Sequence, residues 1–427
     1  MKRAKENNWL ILSHAYNMDG RAASQTITDK IPFLIKRNIS IQVLSAISGE
    51  KDSEIQHRQL LPWSASGLIF DFRFRLRKKI GKGAFYNAFI FSITLLLLPF
   101  VLIEKLIIKL PSNTAWAIPA SLIGIYRVKK HRANLVYSTG GAWSAHLAGY
   151  WIWKITKVPW IVELHDPLFS VYDENIKDRK IRTLIWLEKK IADHASLIWW
   201  FTEGAEKRGK TRNNQIKNRG FSELAGANPP VPLQPYEKKS KLSFSHFGSL
   251  VEGRDLVPFI EGLNSLIRSN RIDMNSIEIN IYGGRIDSAS ENIIRKYNLD
   301  SVVIDHGRVE ASGLESGRQR IMRQMMKSDV LLLIHGNDKN CEEYIPSKFY
   351  EYLYAKRPIL TFTSENSQFR RLLERTNCYQ VNDNNRSAEA IEIVINDWET
   401  DNLKITTEII STEKLVSKII QRVNYLS

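Results

Sequence analysis

Hydrophobic residues in this chain come in short, nearly unbroken runs, separated by longer stretches of mixed polarity. In the first half the runs fall at residues 9–13, 39–44, 134–138, 159–163 and 195–201. Runs of that length, with few polar residues, are the mark of strands buried on both faces, as in a parallel sheet. Between them, residues 22–36, 144–155 and 179–192 read as helices. Strand and helix in alternation predict an α/β fold built on a parallel sheet. The pattern stops at residues 225–235, where Pro229, Pro230, Pro232 and Pro235 crowd together after Gly226. That composition predicts a linker. The alternation then resumes, with strands predicted at 242–247, 277–282, 302–305, 329–334 and 358–362. Leu415, Ile419, Ile420 and Val423 put an apolar stripe on a last helix over 413–426. The predicted division is residues 1–225 for one Rossmann-like domain, 226–236 for the linker and 237–427 for a second.

Residues 330–362 are the most informative stretch. The apolar run 330–334 predicts a buried parallel strand, and a polar loop follows it. A helix is predicted to start at Pro346 or Ser347, to carry Glu351 one turn in, and to end before Pro358. That places a helix N-terminus at the carboxyl edge of a parallel sheet, where such sheets bind ligands. Free N–H groups there suit a diphosphate, and the Glu351 carboxylate suits a ribose diol as hydrogen-bond acceptor. A nucleoside diphosphate site is the expectation.

Glu343 and Glu351 enclose seven residues, and Glu351 opens Glu351-Tyr352-Leu353-Tyr354-Ala355-Lys356-Arg357-Pro358-Ile359-Leu360. With Pro346-Ser347-Lys348 before it, this resembles the spaced-Glu motif of retaining GT-B glycosyltransferases, especially the large bacterial family GT4 (glycosyltransferase group 1). Spacing alone also fits two solvated carboxylates on a helix; the flanking residues carry the resemblance. It implies an enzyme that moves a sugar from a nucleotide donor to an acceptor with retention. It also implies two Rossmann-like domains facing a cleft, the donor on the C-terminal one and the acceptor on the N-terminal one. The last helix would pack back on the N-domain. Glu351 would bind the donor ribose, and Glu343 would lie near the transferred sugar. One departure is the absence of the family's glycine-rich turn after the first Glu, where Tyr344-Ile345-Pro346 stands. Glu342 is a second candidate for that first acidic position.

Other residues follow from the same resemblance. Phe247-Gly248-Ser249 leads to Arg254, which would reach the donor diphosphate with its forked donors. The family's Arg beside the first Gly is replaced by Ser249, which leaves Lys348 as a candidate second cation. Tyr282-Gly283-Gly284-Arg285 resembles a glycine turn near the nucleotide, and equally fits a strand-to-helix turn that needs an unusual φ. His165 and Asp166 end the 159–163 strand; His165 would face the transferred sugar, while Asp166 before Pro167 also fits a turn. The loop 14–21 resembles the one that touches donor phosphate or acceptor, with Gly20 allowing close approach and Arg21 suited to a phosphate. Residues 138–144 resemble a second small-residue loop facing the acceptor, and His146 behind it reads as structural.

Composition narrows the partners. With 427 residues, 43% of them hydrophobic, the chain can build two cores. Cys341 and Cys378 make neither a disulfide framework nor a metal spacing, which predicts a reducing cytoplasm. The apolar stretch after the basic N-terminus, 9–12, is too short for a signal-peptide core and reads as a strand. The net charge of +16 attracts anions: nucleic acid, anionic lipid or phosphorylated substrates. Serine-hydrolase, P-loop and zinc-protease motifs are absent, and so is an Asp-x-Asp metal motif. No metal or cofactor is therefore expected, only a UDP- or GDP-sugar as co-substrate.

Residues 72–110 form a separate feature. Cations at Arg73, Arg75, Arg77, Lys78, Lys79 and Lys82 precede an uncharged run of 16 residues, 88–103, interrupted by Pro99. The run is short for a span. A buried core helix and a membrane-surface segment are the other readings, and the adjacent cations favour the surface. The expected partners are the nucleotide-sugar, a saccharide or polyprenyl-linked acceptor and an anionic membrane, with no nucleic acid. The expected place is the cytoplasm, peripheral at the inner face of a bacterial membrane, in surface polysaccharide synthesis. Two alternatives remain: a nucleotide-sugar 2-epimerase on the same fold, and a non-enzymatic basic protein that binds nucleic acid.

Overall fold

The computed structural model describes residues 7–426 apart from 82, 170–177, 252, 285, 313, 337–338, 364–365 and 407, and apart from the side chains at 78, 339 and 340. Lys82, Arg285 and the Lys78 side chain, named above, lie outside the described residues. The chain divides into two compact units, residues 1–224 with 412–427, and residues 225–411.

The first unit is a seven-stranded parallel sheet in the order β3-β2-β1-β4-β5-β6-β7. Its strands are β1 Asn8–Leu12, β2 Ser40–Ala46, β3 Gln56–Leu60, β4 Leu135–Thr139, β5 Trp160–Leu164, β6 Leu197–Trp200 and β7 Gly220–Ser222. Its helices are α1 Ala22–Thr28, α2 Ile31–Lys36, α3 Ala65–Ile80, α4 Ala84–Ile103, α5 Ala117–His131, α6 Trp143–Thr156, α7 Arg179–His194 and α8 Glu203–Arg212. Successive side chains on a strand point to opposite faces. Trp9 and Ile11 accordingly join Tyr137, Ile161 and Trp199 in one core, while Leu10 and Leu12 join Val136, Trp160 and Ile198 in another. Both faces are buried, which is why the strands read as unbroken apolar runs. A C-terminal helix, Thr412–Asn424, covers the first of these cores with Leu415, Val416 and Ile419.

The second unit is a six-stranded parallel sheet, β10-β9-β8-β11-β12-β13. It comprises β8 Leu242–Phe247, β9 Ile277–Tyr282, β10 Val303–Gly307, β11 Val330–Gly336, β12 Ile359–Thr363 and β13 Tyr379–Val381. Its helices are α9 Val257–Arg268, α10 Ser288–Lys296, α11 Gly317–Lys327, α12 Ser347–Ala355, α13 Ser367–Arg375 and α14 Ser387–Glu399, so the C-terminal helix is α15. Residues 225–241, without helix or strand beyond one bridge at Ala227, are laid along this unit by hydrogen bonds. Tyr354 Oη donates to the Val231 carbonyl at 2.7 Å, and Arg357 Nη2 donates to the carbonyls of Gln234 and Pro235, both at 3.1 Å.

Three expectations need correction. The helix predicted over 22–36 is two helices, α1 and α2, with the break at Asp29 and Lys30. Pro32 is the cause: it cannot donate within a helix, and it falls in the first turn of α2, where no donor is required. In the apolar stretch, α4 starts at Ala84, so the uncharged helical run is 20 residues, and Pro99 sits inside it without ending it. Leucines on both sides of Pro99 favour the helix strongly enough to carry it through. The core-helix reading also fails, because among the described residues of α4 only Ile90 is buried. Sequence patterning had missed β3 and α3 altogether. β3 is polar at every position but Leu60, and the buried positions of α3 lie in its first half.

Candidate functional site

In the second unit the strand order reverses between β8 and β11, and loops from both strands meet at their carboxyl ends. Parallel sheets bind ligands at such a switch point, because loops there diverge to opposite faces and leave a crevice. Gly248 follows β8 with φ +120°, and a Cβ there would lie 2.0 Å from Lys348 Nζ. Only glycine lets the lysine head rest on this turn. Arg254 closes a tight turn by donating its N–H to the Val251 carbonyl at 2.8 Å. Its stem crosses Gly336 at the end of β11, where a Cβ would meet Arg254 Cγ at 2.5 Å. Two cations, one from the loop after β8 and one from the first turn of α12, are thus held near each other. Burial, and then the charge of Arg254, pull Lys348 down to about 8 against the opposing pull of Glu351. Buried His246 is lowered to about 3 by its burial and by the charge of Lys348, so it stays neutral. Gly283 packs on the same turn, where a Cβ would strike the Gly248 carbonyl at 2.1 Å. Its φ is not positive, so close approach, not an unusual φ, is what requires glycine there. Ser249 is exposed just beyond.

The helix predicted to follow β11 is α12. It begins at Ser347, which is exposed, and no side chain caps its N-terminus. Tyr352 Oη fixes the helix to the sheet: it accepts from the Phe247 N–H at 3.1 Å and donates to the Leu332 carbonyl at 3.3 Å. Glu351 is nearly buried and accepts from Arg318 Nε at 2.8 Å. Arg318, at the start of α11, was missed from sequence. A carboxylate accepts several hydrogen bonds, so this pairing orients Glu351 and still leaves capacity for a diol. Of the two neighbouring acids, Glu342 is exposed and Glu343 is only 3% exposed. The turn that carries them is held by Asn366 Nδ2, which donates to the carbonyls of Cys341 and Tyr344 at 2.9 and 3.0 Å. His335 Nε2 bonds the same Tyr344 carbonyl at 3.0 Å. Side-chain anchors thus hold this turn where the family has a glycine-rich one.

In the first unit the order reverses between β1 and β4. The loop 14–21 follows β1. His14 is buried edge-on against Trp116 and lowered to about 4 by that burial, while Gly20 and Arg21 are exposed. The Arg21 guanidinium lies 5.2 Å from the centre of the Phe74 ring. His165 follows β5, stacks on Phe201, and bonds Glu163 Oε1 through Nε2 at 2.7 Å and Thr139 Oγ1 at 3.2 Å. Glu163 is wholly buried and also accepts from Lys30 Nζ at 2.8 and 2.9 Å, from Thr139 Oγ1 at 2.9 Å and from Tyr137 Oη. Burial pushes the Glu163 carboxyl up, but Lys30 and His165 together pull it below the usual carboxylate range. An ionised Glu163 keeps a proton on His165 Nε2 and leaves Nδ1 for other partners. Glu163 was legible as a signal, a lone acid inside an apolar strand; Lys30, at a helix break beside Asp29, was not. Asp166 is exposed, and His146 is buried and bonded to Ser138 Oγ at 3.0 Å.

No family model matches the chain, and no curated protein matches it in sequence. Solved structures do. Anabaena Alr3699/HepE in complex with UDP-glucose matches at 12% identity and TM-score 0.54, over 98% of this chain and 99% of that one. WaaG, a glycosyltransferase involved in lipopolysaccharide biosynthesis, matches at 12% identity and TM-score 0.54, over 97% and 99%. The UDP-GlcNAc 2-epimerase of Methanocaldococcus jannaschii matches at 11% identity and TM-score 0.52, over 98% and 99%. At such identities the likeness is one of fold. The chain has the GT-B glycosyltransferase fold, α/β throughout, with two Rossmann-like domains.

Two outcomes are expected. Lys348 is charged below about 8 and neutral above it, so the affinity of this site for a diphosphate-bearing ligand should fall as pH rises from 7 to 9. The loss should approach that of one charge-assisted hydrogen bond, about 1.5–3 kcal/mol, and Lys348→Arg should flatten the profile; titration calorimetry reads both. Glu163→Gln should cost about 3–5 kcal/mol in denaturant unfolding, because it leaves Lys30 buried and unpaired. Lys30→Met added to it should recover most of that loss.

Proposed function

We propose that this protein is a retaining glycosyltransferase of the GT4 type. It moves a sugar from a UDP- or GDP-sugar to a saccharide or polyprenyl-linked acceptor in bacterial surface polysaccharide synthesis. The observation that carries the reading is the meeting of Arg254 and Lys348 at the β8/β11 switch point, against Gly248, with Glu351 one turn further along α12. Two fixed cations and a helix N-terminus suit the two phosphates of a donor, and Arg318-oriented Glu351 suits its ribose. Glu343, inward where Glu342 is not, takes the first acidic position beside the transferred sugar. His165, held by Glu163, has in the first unit the chemistry to hydrogen-bond a sugar hydroxyl.

In this reaction the bond from C1 of the sugar to the diphosphate oxygen breaks, and the acceptor oxygen bonds to C1 on the same face. The acceptor proton passes to the departing phosphate. Negative charge grows on the diphosphate as the bond breaks, so Arg254 and Lys348 bind the transition state more strongly than the ground state. The absence of an Asp-x-Asp motif supports a reaction independent of metal. The protein works from the cytoplasm at the inner face of the membrane, as its +16 charge and exposed apolar helix favour.

The epimerase match makes 2-epimerisation the competing reading. Incubation with a panel of labelled UDP-, GDP- and dTDP-sugars, with and without a bacterial lipid extract, separates the two. Transfer predicts label in the lipid and nucleoside diphosphate released only with acceptor, persisting in EDTA. Release or epimer formation from donor alone would overturn it. In the active combination, Arg254→Ala should lower kcat by more than it raises KM, and Glu351→Ala should weaken nucleoside diphosphate binding by about 1.5–3 kcal/mol.

A further inference from the structure

The exposed apolar surface of α4 takes no part in either site. Helices α3 and α4 pack on each other and are separated in the chain only by residues 81–83. Glu104, directly after α4, accepts from the N–H groups of Ala65 at 2.6 Å and Ser66 at 3.1 Å at the start of α3. The two helices therefore form an antiparallel hairpin with both ends at one root. α4 carries no charge over its 20 residues. Phe85, Phe91 and Leu96 are 72%, 69% and 73% exposed, and the exposure continues through Leu106 and Ile107. Phe89, Leu95, Leu98, Phe100 and Leu102 are exposed as well, so the apolar surface is not confined to one stripe. A protein groove covers one stripe of a helix, whereas acyl chains cover every side left open.

We propose that the α3–α4 hairpin inserts as one unit into the near leaflet of an anionic bilayer, parallel to its plane. α4 lies among the acyl chains and the α3 cations lie at the lipid phosphates. The inference rests on the membrane partner of the reading above and adds how that partner is held. Length alone would let α4 cross, since 20 helical residues reach about 30 Å, the thickness of the hydrocarbon core. Its antiparallel companion forbids this. Arg73, Arg75, Arg77 and Lys79 lie on the distal half of α3, and a crossing tip would drag them into hydrocarbon. In the plane of the surface the same cations reach the phosphates while their stems cover apolar area. Trp63, 61% exposed just before α3, suits the interface at the root. The loop 14–21 is tied to α3 where Arg21 lies over Phe74, so insertion sets Arg21 at the level of the lipid phosphates. A phosphate-bearing lipid acceptor would meet it there.

Vesicles of equal parts phosphatidylcholine and phosphatidylglycerol provide the test, with the full chain in flotation. The wild type should float at low salt. Arg73→Gln, Arg75→Gln and Lys79→Gln together should lower the partition coefficient by about two orders of magnitude, at roughly a factor of five per cation. Leu95→Asp with Leu96→Asp should do likewise, both sets keeping UDP binding by calorimetry as proof of folding. Gly83→Cys at the turn should react with a membrane-impermeant maleimide added outside vesicle-bound protein, the native Cys341 and Cys378 being buried. A cysteine protected until the vesicles are opened would show a crossing helix and overturn the insertion mode while leaving membrane binding intact. A wild type that stays with the soluble fraction, or that hides α4 in a lipid-free dimer, would overturn the proposal altogether. A wild type that floats but binds none of UDP, GDP and dTDP would instead strike the glycosyltransferase reading.

Discussion

Every strand in both sheets runs parallel to its neighbours, and that constraint organises everything else. A parallel strand is reached only by a crossover that returns along one face of the sheet, so the carboxyl ends all open on one edge. The crossovers bury both faces, which demands apolar residues at successive positions. Trp9 through Leu12, and Val330 through Leu333, meet that demand. The chain must then change sides once in each sheet, at β1/β4 and at β8/β11. The chemistry-bearing side chains described here gather at those two reversals because backbone there is exposed, diverging and free to vary.

The two units treat charge in opposite ways. At β8/β11 two cations crowd together, and the charge of Arg254 adds to burial in pulling Lys348 down. At β5 the charges are already balanced, with Glu163 holding Lys30 and His165 inside a closed network. The first is poised for a ligand. The second is a rigid mount that sets the direction of His165.

The hairpin of α3 and α4 follows a different logic. It contributes little burial to either sheet, and its outer surface would be a liability in water. Its root is nonetheless built with care: Glu104 supplies both open N–H groups of α3 with an acceptor, and Ser64 Oγ caps a third at Gly67, 3.1 Å away. A well-made base under an unburied helix is what an element needs if it meets a second phase as a preformed unit.

Much was legible in the sequence because it depends on local pattern. The alternation of elements, the 225–235 interruption, α12 starting at Ser347 and ending before Pro358, and the cation Arg254 after β8 all follow from neighbouring residues. What escaped was set by residues far apart in the chain. Arg318 reaches Glu351 across 33 positions and Lys30 reaches Glu163 across 133, distances at which no periodicity carries information. Gly283 is glycine because the Gly248 carbonyl comes within reach, a fact of two loops from separate strands. The apolar run around Pro99 shows the division most plainly. Its composition determined that it would avoid water, since transfer free energy belongs to the side chains themselves. Whether it would be wrapped in the core or left open was decided by tertiary packing: the faces of the first sheet are covered by other helices and by α15, and α4 packs on α3.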